Sequence, residues 1–499
     1  MRPLFPDVVI IGAGLSGLVA ASYLCAEGLK VTIIEQKPGP GGVWNSVPKK
    51  HGRWEKPVYS ALETNIPRQT MTLSDQSWPT GTPLMPHNKQ VKQYLEQYCY
   101  QLQQKYEHKR LLYIQYNAAV VEVKKCQQDY NEKWKTTIES LQSEVPQYEN
   151  LHSDFVVVAV GNYQTPFFPF YPGLNEWRDT HPDSVSHALF YENPNDFRKK
   201  ANQLDLFSLR LNVLMIGYGP SGFDISSKIA KVAKSLVLST SRPDQALAPG
   251  VHLGLPEIAH LDAPSRTAIF KSGDKSDSNK PGGVFTGVDK ILFCTGYKYN
   301  FDFIKTPNGA PLLDEGFMVA EVYQHTIYRP DPTLAFLGLP KGGLSFIIAE
   351  AQSALIARAF KGRLLIPSVP FMKSLIDQEK KKWKDRVQRN EVRDSSYHDL
   401  GGGNDKEYVN QLWKVCQAAA PPSAGNLGKA PPYWCSCMDD AKAQTGMVRL
   451  RYKALGEKRV RYSTYASVGG VLPTSCPTHS RLEQEVSPGG GLACCYIGQ

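Results

Sequence analysis

Short apolar runs, each stopped by glycine, set the rhythm of the chain. Val8-Val-Ile-Ile11 is followed by Gly12-Ala-Gly14-Leu-Ser-Gly17, then by the mostly apolar stretch from Leu18 to Ala26, then by Lys30-Val-Thr-Ile-Ile-Glu35. A run too short for a helix and apolar at every position predicts a strand buried on both faces. The order is therefore strand, glycine turn, helix and second strand. Asp154 to Gly161, Asn212 to Gly217, Ser235 to Ser239, Val288 to Gly296 and Thr333 to Gly338 read as further strands of the same kind. Two stretches differ. His87 opens a helix reaching about Tyr106, and Asn117–Lys125 with Trp134–Ser140 reads as a hairpin. A later helix begins near Ile348 and carries Gln352. Alternation of buried strands with helices predicts an α/β chain of two doubly wound, Rossmann-like domains, one inserted into the other.

The glycines of the first turn add chemistry to this pattern. Gly12 permits a tight turn, Gly14 lets backbone approach a pyrophosphate, and Gly17 lets the helix pack close to its strand. The helix start, with Ser16, offers N–H groups and a positive dipole end to phosphates. Glu35 stands 23 positions past Gly12, where an acid accepts hydrogen bonds from ribose hydroxyls. An isolated glycine motif would be weak support for a dinucleotide site; here strand, helix, second strand and acid are all in register.

Asn212-Val-Leu-Met-Ile-Gly217-Tyr-Gly219-Pro220-Ser221-Gly222 repeats the motif 205 residues further on. The position matching Glu35 is Thr240, followed by Ser241 and Arg242. Loss of the carboxylate removes repulsion of a 2′-phosphate, and hydroxyls plus a guanidinium attract it. The first site is therefore expected to hold FAD and the second NADPH.

Composition narrows the class. With 499 residues, 41% hydrophobic and 21% charged, the chain can build two or three ordinary cores. A net charge of +10 comes with no basic stripe interleaved with aromatics, so no nucleic-acid partner is expected. Lys380-Lys-Lys-Trp383-Lys-Asp-Arg386 reads as a solvated helix face. The 10 cysteines include no C-x-x-C and no metal spacing, so no metal is expected and a reducing, cytoplasmic setting fits. The first motif begins within a dozen residues of Met1, so no signal or transit peptide is expected. The apolar run Val8–Leu24 is too short and too glycine-rich for a membrane span, so no integral membrane contact is expected.

Several stretches carry a resemblance to a known family. Gly41-Gly42-Val43-Trp44, Thr64-Asn65-Ile66-Pro67, the second glycine motif, Cys294-Thr295-Gly296-Tyr297 and the run Val322-Tyr-Gln-His325 to Gly338 resemble flavin-containing monooxygenases, nearest to the yeast-type, thiol-specific branch. The similarity runs from about Pro6 to Tyr465 and includes Tyr397-His398 and Pro432-Tyr-Trp434. It implies an N,N-dimethylaniline- or thiol-type monooxygenase. NADPH would reduce FAD, and O2 would form a C4a-hydroperoxyflavin that passes one oxygen atom to a thiol, sulfide or amine. The same resemblance puts Asn65 at the flavin as the catalytic residue. The candidate cofactor-binding set is then Gly12, Gly14, Ser16, Gly17, Glu35, Gly42, Val43, Trp44, Thr64, Asn65, His87, Val121, Gly161, Gly217, Gly219, Pro220, Ser221, Gly222, Thr240, Ser241, Arg242, Thr295, Gly296 and Gln352. The absence of paired carboxylates or a triad agrees with this, because a ready-made oxidant needs no strong protein acid.

One departure concerns the linker between the nucleotide motifs. The family pattern places an aromatic, a glycine two residues on and a histidine four later. Here Trp177-Arg-Asp179 lacks the glycine and His187 comes ten residues after Trp177. The expected division is 1–165 and 286–415 for the FAD domain, 166–285 for the NADPH domain, 416–466 for a helical extension and 467–499 for a flexible tail. Both strands flanking the insertion, Val156–Val160 and Ile291–Phe293, are expected in the FAD domain. A homodimer and loose attachment to the endoplasmic reticulum are compatible with this reading. Two alternatives remain at this stage: a Baeyer–Villiger monooxygenase, and a non-catalytic NADPH-binding redox sensor.

Overall fold

A computed structural model describes residues 6–46, 58–128, 131–143, 145–163, 165–198, 210–243, 247–248, 250–272, 282–306, 309–389, 391–393, 397–422 and 428–471. The three glycines Gly489-Gly-Gly491 and the pair Cys494-Cys495 of the tail lie outside them. The chain divides into two units. The first comprises residues 1–45, 63–162 and 299–499, and the second residues 46–62 and 163–298.

The N-terminal part of the first unit runs β1 (Val8–Ile11), α1 (Leu15–Ala26), β2 (Val31–Ile34), α2 (Asn88–Tyr106), β3 (Leu112–Gln115), β4 (Ala118–Gln128), β5 (Asn131–Ser140), β6 (Gln147–Ser153) and β7 (Phe155–Val158). The second unit supplies β8 (Thr165–Pro166), α3 (Leu174–Thr180), β9 (Val185–His187), β10 (Asn212–Ile216), α4 (Pro220–Ile229) and β11 (Ser235–Ser239). It continues with β12 (Leu253–Leu255), β13 (Ile258–Asp262), β14 (Thr267–Phe270), β15 (Gly283–Phe285), β16 (Lys290–Phe293) and β17 (Tyr297–Lys298). The chain then returns to the first unit with β18 (Leu313–Asp314), β19 (Met318–Val319), β20 (Val322–Tyr323), β21 (Ile327–Tyr328) and β22 (Leu334–Phe336). Four helices follow: α5 (Ser345–Phe360), α6 (Val369–Gln388), α7 (Asn404–Gln417) and α8 (Ser436–Ala454).

The main sheet of the first unit has the order β20-β21-β22-β7-β1-β2-β3, parallel from β22 to β3. Because side chains alternate along a strand, each run feeds two cores. Val8, Ile10, Val31, Ile33 and Val157 join α1, α2, α5, α7 and α8 on one face. Val9, Ile11, Ile34, Val156 and Val158 pack with Trp134, Ile138 and Leu151 of the antiparallel sheet β4-β5-β6 on the other. That double cover is why these strands read as unbroken apolar runs. Residues beyond Cys416 belong to the same core: Trp434, Tyr452, Tyr465 and Val468 are buried in it.

The second unit repeats the plan with a five-stranded parallel sheet, β12-β11-β10-β16-β9. Val213, Met215, Leu236, Leu238 and Leu292 face Ile225 and Ile229 of α4. Leu214, Ile216, Val237, Ile291 and Phe293 face Trp177 and the small sheet β13-β14-β15. Both sheets are thus of the doubly wound α/β kind, with the second unit inserted in the sequence of the first.

The strand Ile291–Phe293 corrects one expectation. It lies beside β10 in the second sheet, with Leu214 opposite Ile291 and Ile216 opposite Phe293, and does not return to the first. The return comes at Tyr299 instead of residue 286. A strand apolar on both faces carries no mark of which parallel sheet it enters, so the run alone could not decide. The later helix likewise starts at Ser345, three residues before Ile348.

Candidate functional site

The two glycine turns are built alike. Gly12 has φ +104, and a Cβ there would lie 2.6 Å from the Ala159 carbonyl oxygen; Gly217 has φ +92, with the Cys294 oxygen also at 2.6 Å. Any side chain at either position would push β1 from β7, or β10 from β16. Gly17 and Gly222 let their helices lie against the carbonyls of Gly12 and Gly217. At the next turn in space, Gly161 and Gly296 have positive φ and open surroundings. Each sheet therefore repeats one arrangement: a glycine turn beside a second, glycine-ended strand.

Helices α1 and α4 begin at Gly14 and Gly219, with no side chain capping either end and no acid in either first turn. Their first N–H groups are left for an outside acceptor, and the positive dipole end favours an anion. A dinucleotide pyrophosphate fits both ends. Ser16 and Ser221 sit in these first turns, and Pro220 opens α4 without wasting a donor.

At the end of β2 the Glu35 carboxylate is buried and already engaged. Oε2 accepts the Ala13 N–H at 2.7 Å and Oε1 the Lys37 N–H at 2.8 Å. Burial pushes the carboxyl above its usual range, and these hydrogen bonds oppose the shift. A carboxylate has about four lone-pair sites, so acceptor capacity is left for a ribose hydroxyl while the rest fastens the turn. The matching position in the second unit is different. Thr240 Oγ1 accepts the Arg242 N–H at 3.3 Å, and the Thr240 N–H binds the Leu255 carbonyl at 2.9 Å. Ser241 and Arg242 are exposed, and the Arg242 guanidinium makes no ion pair or hydrogen bond among the described residues.

The loop carrying Gly42, Val43 and Trp44 is pressed against the first turn. The Gly41 N–H donates to the Ala13 carbonyl at 2.9 Å, and a Cβ on Gly42 would come 2.7 Å from Gly14 Cα. Gly42 is thus required by the neighbouring glycine turn itself, a reason the sequence did not show. Lys37, which sequence reasoning passed over, holds this loop from below: its Nζ donates to the carbonyls of Gly42 at 2.8 Å and Asn45 at 2.9 Å.

Thr64 and Asn65 divide their labour. Thr64 is buried, its N–H bound to the Pro86 carbonyl at 2.9 Å and its Oγ1 to the Ile66 carbonyl at 2.9 Å. Asn65 is exposed, and its carboxamide makes no hydrogen bond among the described residues. The cap of the turn before Pro67 is therefore Thr64, which leaves Asn65 to present both donor and acceptor outward. The preceding Glu63 is fixed by Arg459, with Nη2 to Oε1 at 2.9 Å. His87 caps α2: its Nδ1 accepts the Lys89 N–H at 3.3 Å, and its own N–H donates to Gln90 at 2.9 Å.

Other candidates stand elsewhere. Val121 is exposed at a bulge in β4 between Val120 and Glu122. Gln352 is fully buried two turns into α5. Its Oε1 accepts the Gly338 N–H at 3.1 Å, and its Nε2 donates to Thr326 Oγ1 and Tyr408 OH, each at 3.0 Å. The amide is thus spent on protein groups and positions Gly338, whose added Cβ would meet Ser16 Oγ at 3.0 Å. Thr295 and Gly296 lie in the second unit. Thr295 Oγ1 donates to the Phe167 carbonyl, and the Gly296 carbonyl accepts the Phe167 N–H at 3.0 Å and His187 Nε2 at 3.1 Å. His187 Nδ1 accepts the Leu189 N–H at 3.1 Å, so the proton is on Nε2. The displaced histidine of the linker therefore secures the Thr295-Gly296 turn. Among the described residues no cluster could hold a metal, and no helix is long and apolar enough to cross a membrane.

Comparison with known proteins agrees with the paired turns. The sequence profile of the family described as flavin-binding monooxygenase-like matches residues 6–261 and 265–401. The flavin-containing monooxygenase ustF2 of Aspergillus flavus is 26% identical over 502 residues, covering 87% of this chain and 96% of that protein. The flavin-containing monooxygenase FMO GS-OX-like 4 of Arabidopsis thaliana is 30% identical over 382 residues, covering 72% and 77%. In fold, the S-allyl-L-cysteine S-oxygenase of Allium sativum superposes with a TM-score of 0.70 at 24% identity, over 91% of this chain and 95% of that one. The chain belongs to the flavin-binding monooxygenase-like family, and is a flavoprotein oxidoreductase whose cofactors are FAD and NADPH.

Proposed function

We propose that the protein uses NADPH and O2 to insert one oxygen atom into a soft nucleophile, the sulfur of a thiol or sulfide or the nitrogen of an amine. In this reading FAD occupies the glycine turn of the first unit and NADPH that of the second. One observation carries the assignment: Glu35 closes the first strand pair with a buried carboxylate, whereas Thr240, Ser241 and an exposed Arg242 close the second. A 2′-phosphate would be repelled at the first and matched at the second.

Bound FAD, once reduced by NADPH, supplies the activation of oxygen. The protein's part is positional. The free N–H groups at the starts of α1 and α4 hold the two pyrophosphates, and Glu35 holds a ribose through its remaining lone pairs. Arg242 neutralises the 2′-phosphate. Asn65, fixed in place by the Thr64 cap, offers a neutral donor and acceptor that need not change charge during the reaction. The names of the Arabidopsis and Aspergillus relatives agree with this chemistry in kind and leave the substrate to the shape of the pocket.

The test is product analysis. Purified protein given NADPH, O2 and a panel of thiols, sulfides and tertiary amines should form S- or N-oxides in step with NADPH oxidation. Esters formed from cyclic ketones would make it a Baeyer–Villiger enzyme. Preparations lacking flavin absorbance and NADPH-dependent oxygen uptake would reduce it to a nucleotide-binding protein.

A further inference from the structure

We propose that Lys37 is a positioning residue for FAD, its buried ammonium clamping the Gly41–Trp44 loop against the first glycine turn; this rests on the FAD assignment made above. A lysine is ordinarily a surface residue, yet Lys37 is only 8% exposed. Its Nζ reaches the carbonyls of Gly42 and Asn45, and no carboxylate among the described residues pairs with it. Burying an ammonium without an ion pair is costly, and desolvation lowers its affinity for the proton while the nearby Glu35 charge raises it. The carbonyl dipoles of Gly42 and Asn45, with the nearby Glu35 charge, offset that cost.

What the ammonium holds explains the expense. Gly41 and Gly42 both have positive φ, at +111 and +54. Adjacent glycines lose more backbone freedom than any other pair on being fixed, so their conformation must be imposed from outside. Among the described residues the remaining ties are few: Gly41 N–H to the Ala13 carbonyl at 2.9 Å, Trp44 N–H to the Gly41 carbonyl at 3.0 Å, Asn45 N–H to the Gly42 carbonyl at 3.2 Å, and Asn45 Nδ2 to the Gly39 carbonyl at 2.9 Å. Lys37 bridges the two ends of this loop. Its own N–H anchors Glu35, so one residue ties the ribose acid to the glycine loop.

The experiment is titration of apoprotein with FAD, followed by flavin fluorescence quenching, with NADP+ affinity and apoprotein Tm measured alongside. Lys37→Met is unbranched and one atom shorter, keeps the apolar stem and removes the charge. It should weaken FAD at least about tenfold, as expected for loss of a charge-assisted contact, with NADP+ affinity unchanged. Lys37→Arg should recover part of the loss, because it retains charge and reach. A role confined to folding would lower Tm while leaving the FAD Kd of the folded protein at the wild-type value, and that result overturns the proposal. If Lys37→Met yields no folded protein, Lys37→Gln, a shorter neutral donor, should show an intermediate Kd; wild-type affinity there also overturns it. Wild-type protein that takes up no FAD at all would instead remove the FAD assignment, and the clamp with it.

Discussion

His398 donates from Nδ1 to Nδ1 of His325 across 2.9 Å, and the direction of that bond is fixed. Nε2 of His398 accepts the Val319 N–H at 3.1 Å, so the single proton of the neutral ring is on Nδ1. His325 is then an acceptor at Nδ1 and carries its proton on Nε2. Neither ring can take a second proton without setting two protons face to face. Burial pushes His325 down to about 4 and His398 well below its usual range, the latter helped by the charge of Lys341.

The pair, together with His187, predicts how stability responds to acid. His187 is also pushed down to about 4 by burial. Unfolded histidine titrates near about 6.5, so between that pH and about 4 the unfolded chain binds more protons. Stability is full above the upper limit and is lost as pH falls, by on the order of 3 kcal/mol for each of His187 and His325 at the bottom of the window. Glu35, raised by burial, works the other way. Thermal unfolding followed by circular dichroism should show Tm falling through this range, and His187→Asn and His325→Asn should each make the fall shallower. A Tm that stays level would show that these rings do not control acid stability.

Arg242→Ala should raise KM for NADPH at least about tenfold, since a hydrogen bond to a charged group contributes about 1.5–3 kcal/mol. KM for NADH should change little, because NADH lacks the 2′-phosphate. Equal losses for both nucleotides would show that Arg242 supports the turn rather than reading the phosphate.

Asn65→Asp retains the shape of the side chain and, when ionised, removes both N–H donors. Because Thr64 already caps the turn, Tm should hold. Flavin reduction by NADPH should survive, while NADPH consumption is diverted into hydrogen peroxide and product oxide declines. Full coupling in the variant would take Asn65 out of the active site.

Gly42→Ala should cost more flavin than Gly161→Ala. The added methyl at Gly42 would sit 2.7 Å from Gly14 Cα, whereas Gly161 opens into free space and bears only the strain of φ +75. The FAD content of the two purified variants makes the comparison. Equal retention would mean that the loop can shift away from Gly14 at no cost to binding.

Much of this was legible in the sequence for a physical reason. β1-α1-β2 and β10-α4-β11 are local units whose turns need glycine and whose strands need apolar residues on both faces. The pairing of β16 with β10 joins residues far apart in the chain, and nothing in Ile291-Leu-Phe293 selects one parallel sheet over another. Lys37 was hidden for the opposite reason: a lysine in a glycine-rich loop reads as solvated, and only coordinates reveal two carbonyls beneath it. Gln352 was noticed for its place on α5, but its four hydrogen-bonding partners depend on Thr326, Gly338 and Tyr408 converging on it.

The chain enters the second unit twice, at Ser46–Leu62 and at Tyr163–Lys298, and this ordering bears on synthesis. Domains usually complete in the order they leave the ribosome, the N-terminal one first. Here the nested unit has all its residues once Lys298 has emerged. The outer one still lacks β22, α5 and the buried side chains out to Val468. β7 and α1 are thus made early and must wait for β22 and α5, which emerge much later, with apolar surface uncovered in the interval. Slow elongation or scarce chaperones would tax the outer unit first, and a nascent chain cut short beyond Lys298 would leave a complete nucleotide-binding unit attached to an unfinished one.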